Sequence, residues 1–513
     1  MDSLSQTKKT PLTLRARTVV LVSLAAWAVV ALAGSASDVC LGDESVHIRT
    51  VRLFADHHAR VPYDPLFTPL KQTCDGLMAA PLWHGMLAVL WEVTGLRAQV
   101  LTQAYHAGYY LLLLLAVYYG VRGVWGASAA TWAWLIAATM PVICAYSILL
   151  YQDVPGLAVS ALGFLLLWRK RFVWAGVVFG AAYLTKLNML SFAPWAVVFA
   201  AYWSEGPWWR RLRSAAAVAL PVMAVLAYDM TWRWYAFGRT AGYWSLSTGL
   251  VGTRPSEHGG LSAQAYEALK QWPADYTTWK PYPIYRLKAL VSHLGFAFLG
   301  GMLLGVWRAR DALARWLWGC FLLATVSWFL VFIVWADGTG VQVRYTLPMV
   351  LVLLVLIGRG LRDWRLGPRG KAVLLAACAL QGLAVVGYVA HARQISPDEE
   401  QAYAWLRAHA PEGEPVMTPE RILAVRTGRP YIWGSLKPPY LLTDMPHPAR
   451  RDVLRHFGVS HIFIHRSRLY DRAEEGTHYG GYPREFLAIA DGAPYLEKVF
   501  ENPAAVIYRV RPG

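Results

Sequence analysis

The chain has 513 residues, of which 56% are hydrophobic, 13% aromatic and 16% charged, whereas soluble domains average about 25% charged residues. That balance reads as a polytopic membrane protein with some soluble mass attached. The net charge of +17 does not make it a nucleic-acid binder, because Lys and Arg lie in short clusters between apolar runs, as membrane orientation signals do, and not in one patch.

The N-terminal MDSLSQTKKTPLTLRART is basic, and the apolar run after it ends in Ser-Ala-Ser, which passes for a signal-peptidase site. Many more apolar segments follow, so an uncleaved first span is expected. Runs near the roughly 20 apolar residues that a spanning helix needs predict spans at about 18–36, 101–121, 127–148, 154–168, 172–187, 189–203, 214–230, 288–306, 314–335, 345–358 and 371–390. The 25 Trp and 27 Tyr fit, since both rings favour membrane interfaces.

Counting Lys and Arg in alternate connections orients these spans. One face collects Lys8, Lys9, Arg15, Arg17, Arg122, Arg169, Lys170, Arg171, Arg210, Arg211, Arg213, Arg308, Arg310, Arg315, Arg359, Arg362, Arg365, Arg369 and Lys371, against the acids Asp2, Glu205, Asp311 and Asp363. By the positive-inside rule this face is cytoplasmic. The other face then holds the polar loop 37–75, the short "YQDVP", the loop 231–287, "ADGTGVQVR" and the tail from 391. The segment 76–95 would invert the pattern if it crossed, so it is expected to be interfacial or re-entrant, packed on protein within an outer loop spanning 37–100.

The tail changes character. In "SPDEEQAYAWLRAHA", Ser396 as N-cap with Asp398, Glu399 and Glu400 in the first turn starts a helix. "PVMTP", "HIFIHR" and "AAVIYRV" read as short strands rich in β-branched residues, and "PARRDVLRHFGV" as a helix stopped by Gly458. The fold class is therefore a mostly α polytopic membrane protein of about eleven transmembrane helices, residues 1–390, with a small α/β domain outside, residues 391–513. Of the five cysteines, none forms C-x-x-C; Cys40 and Cys74 flank the first polar loop and are either free thiols or a disulfide.

Three polar groups fall on the outer face. In "GDESVHIRTVRLF", Asp43, Glu44 and His47 share one helical face, with Arg49 and Arg52 after them and His57, His58, Asp64 and Asp75 downstream. Asp153 stands in "YSILLYQDVPG" where the chain re-enters lipid; with Pro155 behind it, it is an N-cap or a functional acid. Arg344 and Tyr345 begin a span in "VRYTLP", and Lys186 ends one in "YLTKLNML". His84 in "PLWHGM" has no assigned role. Charges at membrane depth are costly and usually functional. Carboxylates and cations together suit an anionic lipid headgroup: a carboxylate can act as base on an acceptor hydroxyl, and cations can hold a leaving phosphate. The bland alternatives are a helix cap for Asp43 and Glu44 and interfacial snorkelling for Arg344.

The wording "DESVHIRTVRLF…YDPLFTP" resembles the first outer loop of the GT-C glycosyltransferases, integral-membrane enzymes that use polyprenyl-phosphate sugars. That superfamily includes protein O-mannosyltransferases, lipid A aminoarabinose transferases and dolichol-phosphoglucose-dependent glucosyltransferases. "YQDVPG" is similar to its second acidic loop; "AGVVFGAAYLTKLNML" and "VRYTLPMVLVLL" resemble two further segments; the tail resembles the outer domain of many bacterial members. The resemblance implies Asp43 as the acid that activates the acceptor, Glu44 as its tuning or orienting partner and Asp153 as the second acid. Arg344 and Lys186 are candidates for lipid-phosphate contact, with Tyr345 and His47 beside them. Some members bind a divalent metal near these acids; here Asp43, Glu44 and Asp153 would be its oxygen ligands with His47 nearby, but no local spacing demands one and the metal stays unassigned. The expected partners are a polyprenyl-phosphate sugar, membrane lipids and a glycan, lipid or protein acceptor, with location in a bacterial inner membrane. The alternatives are a lipid-linked sugar flippase or a glycan-binding membrane scaffold. Against a transporter, the chain shows no repeated halves, and its acids sit at the membrane edge, not at the midplane.

Overall fold

The computed structural model describes residues 10–37, 44–57, 81–237, 283–305, 308–311, 313–315, 317–319, 347–418, 420, 422–432, 445–471 and 482–511. A two-residue strand, β1 (Thr10–Pro11), pairs antiparallel with β2 (Arg365–Leu366). It leads into α1 (Ala16–Ser35), which is apolar all round, as a helix in lipid must be. α2 (Glu44–His57) is different: Ile48, Val51, Leu53, Phe54 and Ala55 are buried while Arg52 and Asp56 face outward, the pattern of a helix lying on an apolar surface. That surface is α3 (Pro81–Thr94), which supplies Trp83, Leu87, Ala88 and Trp91. At 14 residues, α3 is about 21 Å long, short of a hydrocarbon core of about 30 Å.

α4 runs from Gln99 to Thr139 with a break at Gly126 (φ 85°, ψ 179°), a conformation open to glycine alone. The expected span 127–148 is not one helix. α4 stops at Thr139, and Pro141, which has no N–H to continue the ladder, starts the eight-residue α5 (Pro141–Ile148). After four residues the chain turns by 114° into α6 (Asp153–Trp168). α7 (Phe172–Thr185) ends at Lys186, whose backbone is extended, and a 3-10 turn then leads to α8 (Phe192–Trp203). α9 (Trp208–Phe237), α10 (Pro283–Gly305), α11 (Leu347–Leu361) and α12 (Pro368–Ala392) follow.

Backbone groups freed at these breaks are satisfied by side chains, as a low-dielectric interior requires. Gln381 of α12 donates to Thr139 O at 2.6 Å and accepts from Phe296 N at 3.0 Å, so one amide mends the end of α4 and the break in α10. That break is at Gly295 (φ 76°), where a Cβ would fall 2.7 Å from Pro141 and from the Gln381 amide. One continuous apolar core joins α1, α4 to α6, α8, α11 and α12. Among the described residues α1, α4, α9 and α12 are long and apolar enough to cross a membrane, and the bent pair α5–α6 makes a fifth if counted as one span; α7, α8, the part of α10 from 294 to 305, and α11 are apolar but shorter. The chain is an integral membrane protein. The sequence-based figure of about eleven spans includes those shorter helices, and the residues of 314–335 beyond 319 lie outside the described set.

After α12 the chain forms α13 (Pro397–His409), β3 (Val416–Met417), α14 (Ile422–Thr427), β4 (Tyr431–Ile432), α15 (His447–His456), β5 (His461–His465), β6 (Leu469–Tyr470), β7 (Tyr482–Pro483), α16 (Glu485–Asp491), β8 (Leu496–Glu501) and β9 (Ala505–Val510). Five strands make a mixed sheet in the order β4-β3-β5-β9-β8, parallel from β4 to β5 and antiparallel beyond. Period-two alternation sends Ile462, Ile464, Val506 and Tyr508 to one apolar cluster and Phe463, Ala505 and Ile507 to the other, so the central strands are covered on both faces. α13 starts on a reciprocal cap: Glu399 N donates to Ser396 Oγ and Ser396 N to Glu399 Oε2. α15 is followed by Gly458 at φ 61°.

Candidate active site

The start of α2, the elbow between α5 and α6, the end of α7 and the end of α12 meet. Glu44 is the first residue of α2 and is 0% exposed. Its Oε1 accepts the Leu150 N–H of the elbow at 2.8 Å and lies 3.4 Å from the guanidinium of Arg393, also 0% exposed. Arg393 caps α12 and donates through Nη1 to Gly34 O at 2.6 Å, while its own carbonyl accepts from Ser37 Oγ at 2.8 Å. One residue therefore ties the end of α1, the start of α2 and the end of α12.

Asp153 opens α6, 1% exposed, with Oδ1 2.6 Å from Lys186 Nζ; the lysine side chain is 15% exposed. Asp153 is not the N-cap. That position belongs to Gln152, and no side chain caps the helix. Oδ2 of Asp153 accepts no hydrogen bond among the described residues. Close packing brings this pair together: a Cβ on Gly156 would meet Met189 at 2.9 Å and Lys186 Cβ at 3.0 Å.

A histidine chain closes the arrangement from the α3 side. Gln152 Nε2 lies 3.2 Å from His84 Nδ1, and His84 Nε2 lies 3.0 Å from His47 Nδ1. An amide N–H₂ only donates, so His84 Nδ1 accepts and its proton sits on Nε2, which donates to His47. The rings are held by Trp83 and Tyr151 against His47 and by Phe54 stacked on His84. His106, buried on α4, has Nε2 2.9 Å from Tyr146 O, so that nitrogen carries the proton and donates.

Of the residues expected from sequence, Glu44, His47, Asp153 and Lys186 are brought to this region, and Lys186 pairs directly with Asp153. Asp43, Arg344, Tyr345, Cys40, Cys74, His58, Asp64 and Asp75 lie outside the described residues, as does the side chain of His57. Arg393, His84, Gln152 and His106 were not assigned from sequence. The signal for His84 and His106 is a lone polar residue inside an apolar helix; Arg393 carries none, because a basic residue just past a span reads as a flank. Among the described residues no three His, Cys, Asp or Glu side chains gather to hold a metal. Glu44 already faces Arg393 and Asp153 already faces Lys186, so these two acids do not fit a divalent ion.

The class this architecture defines is a fold that it shares with solved structures. ArnT from Cupriavidus metallidurans bound to undecaprenyl phosphate is similar over 96% of this chain and 98% of its own, at 15% identity and a TM-score of 0.59. The oligosaccharyltransferase from Archaeoglobus fulgidus, tethered with an acceptor peptide containing the NVT sequon, is similar over 86% of this chain and 69% of its own, at 13% identity and a TM-score of 0.57. No protein-family model and no curated protein sequence matches the chain. The likeness is one of fold.

Proposed function

We propose that the chain is a membrane glycosyltransferase that moves a sugar from a polyprenyl-phosphate donor to an acceptor on the extracytoplasmic face, inverting the anomeric centre. The observation that carries this reading is the buried Asp153–Lys186 pair at the α5–α6 elbow, in a fold shared with ArnT solved with undecaprenyl phosphate. Sidedness rests on the nineteen basic residues of the alternate connections, which put the elbow and the start of α2 opposite the cytoplasm. In the reaction the Asp43 carboxylate takes the acceptor's O–H proton as that oxygen attacks the anomeric carbon, and the bond from that carbon to the polyprenyl phosphate breaks. Lys186, partly exposed beside Asp153, and Arg344 with Tyr345 bind the departing phosphate.

The test uses purified protein, a panel of radiolabelled undecaprenyl-phosphate sugars and envelope extract from cells lacking the protein as acceptor. Transfer by the native chain and none by a folded Asp43→Asn variant is expected. Near-normal turnover in Asp43→Asn would refute the mechanism, and movement of label across vesicles without bond formation would favour a transporter.

A further inference from the structure

We infer that Arg393 is the positioning residue of this site and that Glu44 is its counterpart, a clamp and not a second acid. The inference rests on the transferase reading above for its kinetic part only. Glu44 is held from one side: its Oε1 accepts the Leu150 N–H at 2.8 Å and faces the Arg393 guanidinium at 3.4 Å, and no exposed surface remains to it. A carboxylate sealed this way offers the reacting atoms no route to it. The links that Glu44 and Arg393 make instead fix backbone. Leu150 belongs to the elbow whose next helix begins with Asp153; Gly34 O ends α1; Glu44 begins α2.

The clamp also reaches beyond the membrane helices. Arg393 follows α12 directly, and only Gln394, Ile395 and Ser396 separate it from α13, the first helix of the C-terminal sheet assembly. α14 of that assembly packs near α2. Arg393 therefore couples the seating of the C-terminal residues to the geometry of the elbow. A buried guanidinium is costly to desolvate, and an apolar contact would hold three helix ends as firmly. A fixed fork of donors that reaches a carboxylate and a carbonyl at set distances is what alignment requires and what an apolar contact does not supply.

The experiment separates alignment from stability. Removing one partner alone leaves a buried charge and destabilises the fold, whereas replacing both by apolar side chains of similar size is often neutral. The double variant Glu44→Leu/Arg393→Met should melt in detergent within a few degrees of the native protein. Its turnover should fall about 10- to 100-fold with the KM for the undecaprenyl-phosphate sugar within about twofold, as expected for lost alignment. Deuterium exchange of the Leu150 amide should rise about tenfold or more, with α4 and α6 protected as before. A double variant with native turnover, or with unchanged exchange at Leu150, overturns the inference. Absence of transfer by the native chain, or an active Asp43→Asn variant, sinks the transferase reading instead, and the exchange measurement then decides the clamp by itself.

Discussion

Two buried ion pairs lie side by side in this protein, and they are built differently. Glu44–Arg393 is sealed from solvent and knitted to the backbone at Leu150 and Gly34. Asp153–Lys186 opens toward solvent through the lysine and leaves Oδ2 of the acid without a hydrogen bond among the described residues. A buried charge tied to backbone on several sides serves shape; one whose acid opens toward solvent through a partly exposed cation is available to a ligand. Identity of the charged groups does not distinguish the two, since each is a carboxylate with a nitrogen cation. The surroundings do.

The largest effect is expected from breaking the sealed pair on one side. Arg393→Met leaves the Glu44 carboxylate buried without its cation and should cost about 3–5 kcal/mol, read as a fall in the detergent melting midpoint. Lys186→Met strands Asp153 in the same sense, but the 15% exposure of the lysine lets water relieve the acid, so about 1–3 kcal/mol is expected. Its turnover should drop further than its stability explains, about 100-fold. If the two variants lose stability equally and Lys186→Met keeps its turnover, the distinction between the pairs is wrong.

The histidine chain lies between these extremes. It joins Gln152, the neighbour of Asp153, to His47 on the helix that Glu44 begins. His84→Phe keeps an aromatic ring against Phe54 and removes both hydrogen bonds, at a cost of about 1–2 kcal/mol. Turnover should fall about tenfold, because the Gln152 amide at the elbow loses its bond to His84. Unchanged turnover in a stable His84→Phe protein removes the chain from the site.

What could be read from the sequence was what is local or what is expensive. Ser396 as the N-cap of α13 is present as read, and the structure adds Glu399 as its reciprocal partner. "HIFIHR" and "AAVIYRV" alternate as β5 and β9 do. Asp153 and Lys186 were legible as charges beside lipid, but not as a pair, because their meeting depends on a 114° elbow and on the end of α7. The elbow itself was half hidden: Pro141 marks a helix start, yet the apolar run continues through it and reads as one span. Arg393 was illegible. Its partner stands at the other end of the sequence, and only the packing of α1 against α12 brings Gly34, Glu44 and Arg393 together.

A third carboxylate gives the comparison a titratable control. Glu399, 22% exposed, bonds His465 Nε2 through Oε1 and the Ser396 N–H through Oε2. The hydrogen bond from His465, with that from Ser396, pulls its pKa down from an ordinary 4.5 to about 2. A carboxylate with a depressed folded pKa contributes stability that is fully present above its unfolded pKa and is lost as pH falls through the folded one. Glu399 therefore stabilises the C-terminal sheet assembly above about pH 4.5, and that contribution disappears between about pH 4.5 and pH 2. Partial exposure reduces it to about 1 kcal/mol. Glu399→Gln should be less stable than the native chain at pH 6 by that amount, and the two should converge as pH approaches 2, measured by urea unfolding followed at the tryptophans. A pH dependence of the same size in Glu399→Gln would show that the acid sensitivity does not arise at Glu399.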